Sequence, residues 1–175
     1  MSEQTNLRIK NPAKWITVTA LFMALNIVFS SFGIPVPGGH LYLNDIVICT
    51  AAILLDPVGA FAVGGIGAFL GDFFFYPTPM FVSLVTHGLQ AVVISLIVRR
   101  AAPGHKVRAA VIAVTVGAVI MVVGYSLGRA FLYSTVEYAL LKLPYQILQA
   151  AVGAVVAVLL CFKGHLKERF DNLMK

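Results

Sequence analysis

The chain has 175 residues, of which 59% are hydrophobic and 11% charged, with a formal net charge of +6. An ordinary soluble domain carries roughly 25% charged residues, so this composition excludes one and points to a bilayer. The positive excess does not point to nucleic acid, because the lysines and arginines gather at the ends of apolar runs rather than along one face.

Met1 to Asn11 is polar, and no small-residue cleavage site follows a short apolar core, so no cleavable signal peptide is expected. A bilayer span needs about 20 apolar residues. The first predicted span is Trp15–Phe32. "GIPVPGGH", Gly33–His40, follows it and cannot be helix, because proline and glycine punctuate it throughout. The second span, Leu43–Leu55, is short. "DPVG", Asp56–Gly59, makes a tight turn with Pro57 in the first turn of the next helix. The third span is Val58–Tyr76, stopped by "YPTP". The fourth is Met80–Val98, and "RRAAPGHK" is the loop after it. The fifth, Val107–Tyr133, is long enough to tilt or kink. The sixth is Leu143–Phe162, with Pro144 at its start.

The predicted architecture is therefore a single all-α integral membrane domain over residues 1–175 with six transmembrane helices. An even number of spans puts both termini on one side, and the basic residues put that side in the cytoplasm. One basic cluster precedes the first run (Arg8, Lys10, Lys14). A second surrounds the loop near residue 103 (Arg99, Arg100, Lys106, Arg108), and a third follows the last run (Lys163, Lys167, Arg169, Lys175). Only Arg129 and Lys142 fall elsewhere. Cys49 and Cys161 are far apart, lie in apolar runs and show no CxxC or zinc spacing, so they read as packing residues and no metal site is expected.

The polar residues within the spans are the candidates for function. An intramembrane ionisable group is expensive, and Asp72 in "GAFLGDFFFYP" (Gly67–Pro77) is such a group. It lies about 6 Å below the outer end of its span. Asn44 and Asp45 open the second span at a similar depth. Ser83, His87 and Gln90 share a face of the fourth span, Tyr125, Arg129 and Tyr133 a face of the fifth, and Gln146 and Gln149 are one turn apart in the sixth. The inner halves are nearly pure Ala, Val, Ile, Leu and Gly, whereas an ion or proton pathway needs polar groups through the full depth. The pattern describes an outer pocket with aromatic walls (Phe73, Phe74, Phe75, Tyr76, Tyr125) for a small, flat ligand with polar edges.

Each of these residues also has a purely structural reading. Asp72 can form an ion pair with Arg129. His87 can be a packing histidine, Gln146 and Gln149 interhelical glue, and Asn44 and Asp45 a helix cap. The coincidence of depth across five spans favours a site. The expected substrate-binding set is Asn44, Asp72, His87, Gln90, Tyr125, Arg129, Gln146 and Gln149. Small residues recur at four-residue spacing in Ala20/Ala24, Gly67/Gly71, Gly124/Gly128 and Ala150/Ala154, a pattern that lets helices approach closely.

The chain resembles the substrate-binding S components of the energy-coupling factor (ECF) vitamin transporters. The motifs that carry the resemblance are "ALFMA" (Ala20–Ala24), "YLNDIVICTAAILLDPVGAFAVGGIGAFLGDFF" and the late "LPYQILQAAVGAVVA". Within that family it is most similar to the pyridoxine and hydroxymethylpyrimidine types. The resemblance implies capture of a vitamin from outside under the loop Gly33–Tyr42, in a bacterial plasma membrane. It also implies docking through Ala20 and Ala24 onto a membrane T subunit driven by two cytoplasmic ATPases. The chain has no GxxxxGK[ST] phosphate loop, so ATP is hydrolysed by the partners, with no cofactor in this chain. Two alternatives are a stand-alone secondary transporter or channel, against which the dry inner half argues, and a membrane hydrolase using His87 and Asp72. The hydrolase lacks HExxH and GxSxG.

Overall fold

The computed structural model describes Arg8 and residues 11–174. Most of the polar leader, with Lys10, and Lys175 of the last basic cluster lie outside them. Helix α1 (Pro12–Ser30) starts where the Asn11 side chain accepts the Lys14 N–H at 3.3 Å and Pro12 pre-sets the first turn. The Pro/Gly segment after it is a lid-like hairpin, β1 (Ile34–Val36) against β2 (Gly39–Leu41), antiparallel with Ile34 opposite Leu41. Its turn requires glycine, because Gly38 and Gly39 sit at φ +81° and +142°.

Helix α2 (Asn44–Leu54) has 11 residues, a length of about 16 Å against a hydrocarbon core of about 30 Å. The second predicted span is thus a helix too short to cross a bilayer unaided. It packs against α1, α4 and α6, and all its residues except Ile46 are buried. Helix α3 (Pro57–Phe75) is capped by the Asp56 side chain, which accepts the Gly59 N–H at 3.2 Å. A π turn interrupts it at Ala62–Ile66, where the Asn26 amide of α1 donates to the Val63 carbonyl at 2.7 Å.

Helices α4 (Met80–Arg100), α5 (Lys106–Tyr133) and α6 (Val136–Lys163) complete the set, so among the described residues five helices are long and apolar enough to cross a membrane, where six were expected. The largest boundary error is at α6, which starts at Val136 rather than Leu143. Thr135 caps it by accepting the Tyr138 N–H at 3.4 Å, and Pro144 is accommodated inside the helix. A short helix absent from the sequence reading, α7 (Leu166–Leu173), folds back and adds Phe170 to the core, followed by Met174. Lys14 Nζ donates to the Leu173 carbonyl at 2.9 Å, so the two described ends of the chain lie together, opposite the hairpin.

The core is built around α2: Ile48, Ile53 and Leu54, with Ile94 from α4, are at most 1% exposed. Contact between α2 and α6 is close enough to require Gly153, where an added Cβ would lie 2.5 Å from the Asp45 Cβ. Of the small-residue pairs, Gly67/Gly71 faces Asn26 and Ser30 of α1, and Gly124/Gly128 faces Thr86 and Val82 of α4. Ala150 and Ala154 are buried, whereas Ala20 and Ala24 are exposed.

Candidate ligand pocket beneath the hairpin

Under the hairpin, side chains from α1 through α6 line a cavity of about 50 Å³. That is room for a few waters. Of the expected site residues, Asn44, Asp72 and His87 line it, as do Tyr125, Arg129, Gln146 and Gln149. Gln90 lies just behind, buried to 1% exposure. Asn44 and Asp45 do not cap α2. Instead Asn44 Nδ2 donates to Ser30 Oγ at 3.4 Å, and Asp45 is the centre of a hydrogen-bond network.

In that network, Gln90 Nε2 donates to Asp45 Oδ1 at 3.1 Å and Gln149 Nε2 to Asp45 Oδ2 at 2.7 Å. Gln149 Oε1 in turn accepts the Tyr42 backbone N–H at 3.0 Å, tying the end of the hairpin to the pocket floor. His87 Nδ1 lies 2.6 Å from Gln90 Oε1. That oxygen only accepts, so Nδ1 carries the proton. The His87 ring meets Tyr125 edge-on at 5.1 Å. A second, shorter network joins Asp72, which accepts from Ser83 Oγ, to the Tyr125 hydroxyl, which also bonds Ser83.

The cations do something other than neutralise Asp72. Arg129 donates through Nη1 to the Gly38 carbonyl at 2.9 Å and lies over the Tyr133 ring, 5.3 Å from its centre. A π turn at Arg129–Tyr133 closes α5 and brings these two side chains together. Lys142 Nζ donates to the His40 carbonyl. The structure therefore replaces the possible Asp72–Arg129 ion pair with two cations that clasp the hairpin and a carboxylate held by a serine. Gln146 does serve as interhelical glue, with Nε2 donating to the Val122 carbonyl at 2.8 Å. Burial, assisted by the nearby Asp72 charge, pushes the Tyr42 phenol up to about 12, so its hydroxyl stays protonated at physiological pH.

Three polar atoms of this lining have no hydrogen-bond partner among the described residues: Asn44 Oδ1, Arg129 Nε and Tyr133 OH. Buried polar atoms are nearly always paired, and these three exceptions all belong to residues that line the one cavity, which makes them candidates for a ligand's complementary groups.

The aromatic wall is smaller than expected. Phe73, Phe74 and Phe75 are 52%, 62% and 52% exposed and point away, leaving Tyr76 and Tyr125 of the five at the cavity. Sequence reasoning left Lys142, His40 and Tyr133 out of the site, placed Tyr42 only in the covering loop, and left Asp45 and Ser83 outside the binding set. Lys142 carried a signal, being one of two cations outside the basic clusters. The half of the bundle toward the chain ends is also less dry than read: Thr19, Thr50 and Asp56 are buried there, and Trp15 Nε1 donates to Asp56 at 2.7 Å.

No curated protein matches the chain. Residues 10–165 match the family described as ECF-type riboflavin transporter, S component, which is a transporter family and not an enzyme family. That match covers every helix from α1 to α6, the hairpin and all the pocket residues. The chain belongs to the S-component family of ECF-type riboflavin transporters.

Proposed function

We propose that this protein is the capture subunit of an ATP-driven importer in a bacterial plasma membrane. We propose that its ligand is a small ring-containing vitamin or precursor, with pyridoxine or hydroxymethylpyrimidine favoured over a flavin. ECF S components in general work with a T subunit and an ATPase module. On this reading two cytoplasmic ATPases hydrolyse ATP, and the present chain only binds, orients and hands over its ligand. The hairpin end faces outside and the chain ends face the cytoplasm, as the basic clusters favour. The exposed Ala20/Ala24 face of α1 is the docking surface for the T subunit, since small residues allow close backbone approach.

The observation that carries this reading is that three unpartnered polar atoms, Asn44 Oδ1, Arg129 Nε and Tyr133 OH, belong to residues lining the cavity under the hairpin. Ligand pockets typically measure about 300–1,000 Å³, so a cavity of about 50 Å³ must widen to take a vitamin. The hairpin is the part that can lift, because polar contacts to Arg129, Lys142 and Gln149 hold it down. A single six-membered ring needs less opening than a fused three-ring flavin. Within the opened pocket, Tyr125 and His87 present ring faces, while Asn44 and Asp72 read the ligand's edge.

The test is titration of the purified protein with pyridoxine, hydroxymethylpyrimidine and riboflavin, together with mass spectrometry of small molecules extracted from it. Saturable binding of a single-ring vitamin with riboflavin weaker supports the reading. Riboflavin as the tight ligand overturns the ring preference, and copurification without any ATPase or T subunit from the native membrane counts against the transporter assignment.

A further inference from the structure

Two cations, Lys142 buried and Arg129 half-buried, stand at the hairpin end of the pocket without an acidic partner among the described residues. Lys142 is 3% exposed, and its ammonium donates to the His40 carbonyl. Arg129 uses Nη1 on the Gly38 carbonyl, while its Nε is buried with no partner. The two groups approach one turn of the hairpin. A Cβ on Gly38 would lie 3.1 Å from the Lys142 Cβ, and one on Gly39 would lie 3.6 Å from Arg129 Nη1. The acid that shares the cavity, Asp72, is engaged by Ser83, and the deeper Asp45 accepts from Gln90 and Gln149, one bond to each oxygen.

Carbonyl dipoles compensate a buried cation only in part, and two like charges braced on one turn repel each other. A planar guanidinium with a free Nε edge is the group best matched to an oxyanion, and a nearby ammonium adds a point charge to it. We propose that the ligand's ring carries an oxyanionic substituent, a phosphate or a carboxylate, bound between Arg129 and Lys142, with the opposite, donor-bearing edge of the ring on Asp72. This rests on the reading of the pocket as a site for a ring-containing vitamin, but it shifts the favoured ligand from pyridoxine and hydroxymethylpyrimidine, which carry no such group, to a phosphorylated or carboxylated relative of that ring. When the oxyanion takes the Arg129 and Lys142 donors, the Gly38 and His40 carbonyls are released, so the same group that binds also loosens the hairpin.

The test compares one ring with three substituents, namely neutral pyridoxine, pyridoxine 5′-phosphate and 4-pyridoxate, each titrated into the full chain in detergent at fixed ionic strength. The expected result is at least a tenfold tighter dissociation constant for one of the two anionic forms than for pyridoxine. Which anion wins distinguishes phosphate from carboxylate. Lys142→Gln and Arg129→Gln each reduce that ratio by about tenfold. A neutral form that binds as tightly as both anions overturns the proposal, as does a ratio unchanged in Lys142→Gln.

A second measurement separates this from the ring assignment. Inorganic phosphate raises the melting temperature of the wild type more than chloride at equal ionic strength, and this increment is lost in Lys142→Gln. If no pyridine compound binds but the phosphate increment is present, the ring reading fails and the oxyanion site stands. If pyridoxine binds and neither anion nor phosphate has an advantage, the oxyanion site fails and the ring reading stands.

Discussion

Replacing Gln149 with leucine tests whether the pocket floor and the hairpin act as one unit. The side chain makes two bonds: Nε2 to Asp45 Oδ2 at 2.7 Å and Oε1 from the Tyr42 N–H at 3.0 Å. The first involves a carboxylate and contributes about 1.5–3 kcal/mol, the second about 0.5–1.5 kcal/mol. Leucine fills the volume and offers neither bond, leaving a buried carboxylate oxygen and a backbone N–H unpaired. The expected loss is roughly 2–4 kcal/mol, a large share of the 5–15 kcal/mol typical of a folded domain. For a chain of this size that corresponds to a melting temperature lower by about 4–15 °C.

Thermal melting in detergent reads that loss, and ligand titration on the same sample reads the consequence for the hairpin, whose last anchor into the floor is gone. Gln146→Leu is the control, since it forfeits one neutral bond to the Val122 carbonyl and should cost about 1 kcal/mol. Gln149→Glu sharpens the test by placing a second carboxylate against Asp45, so its melting temperature should fall at neutral pH and recover on acidification, when the two acids share a proton. Gln149→Leu melting within about 2 °C of wild type, with unchanged affinity, would refute the network as the link between floor and lid.

Asp72→Asn should lower ligand affinity by about one to two decades, the value of a charge-assisted hydrogen bond. It should leave the melting temperature of the free protein nearly unchanged, because no Arg129 charge is stranded; a fall of about 6–20 °C, equivalent to the roughly 3–5 kcal/mol of a broken buried pair, would instead restore the ion pair that the structure lacks. Tyr42 has its phenol raised from 10.0 to about 12 in the fold, so it contributes stability that is complete below about pH 10 and is lost as pH rises toward 12. Melting curves of wild type and Tyr42→Phe should therefore diverge in that window, with the wild type falling more steeply, and superimposable pH profiles would sink the claim. Ala24→Trp enlarges an exposed position of α1 and should abolish transport in cells while ligand binding to the purified chain is retained; loss of binding would mean that this face packs within the chain.

Helix positions and the depth of the site were legible because both follow from apolar length and from the expense of burying polar groups in a bilayer. Asp72, His87, Arg129 and Gln149 were each found from sequence as polar residues in apolar runs, and all four line the cavity. Pairings were not legible. Asp72 and Arg129 share a depth, and a buried acid near a buried base invites an ion pair, but depth gives no rotation about the helix axis. The π turn at Arg129–Tyr133 shifts the register of the end of α5, and that side chain reaches the hairpin instead. The start of α6 was missed for a related reason. Pro144 read as a first-turn residue, whereas the real signal was Thr135 followed by Glu137 in the first turn.

The inward faces of these helices illustrate how the membrane reverses the usual sequence signal. Helix α1 has three buried residues, and all of them are polar: Thr19, Asn26 and Ser30. Its large exposed side chains, Ile16, Leu21, Leu25 and Val28, are apolar. Helix α4 does the same with Ser83, Thr86, His87, Gln90 and Ser95 inside and Phe81, Val85 and Leu89 outside. Lipid is as apolar as leucine, so burying leucine gains little there, while a serine or glutamine facing lipid would lose its hydrogen bonds. The polar residues therefore mark the inward face of α1 and of much of α4, whereas α3 and α5 turn small and apolar residues inward. For α1 and α4, the sequence feature that locates the pocket is thus the same one that orients the helix beside it. A substitution that removes a polar pocket residue from α1 or α4 also removes part of what holds its helix in rotation, so a loss of binding there must be read beside the melting temperature.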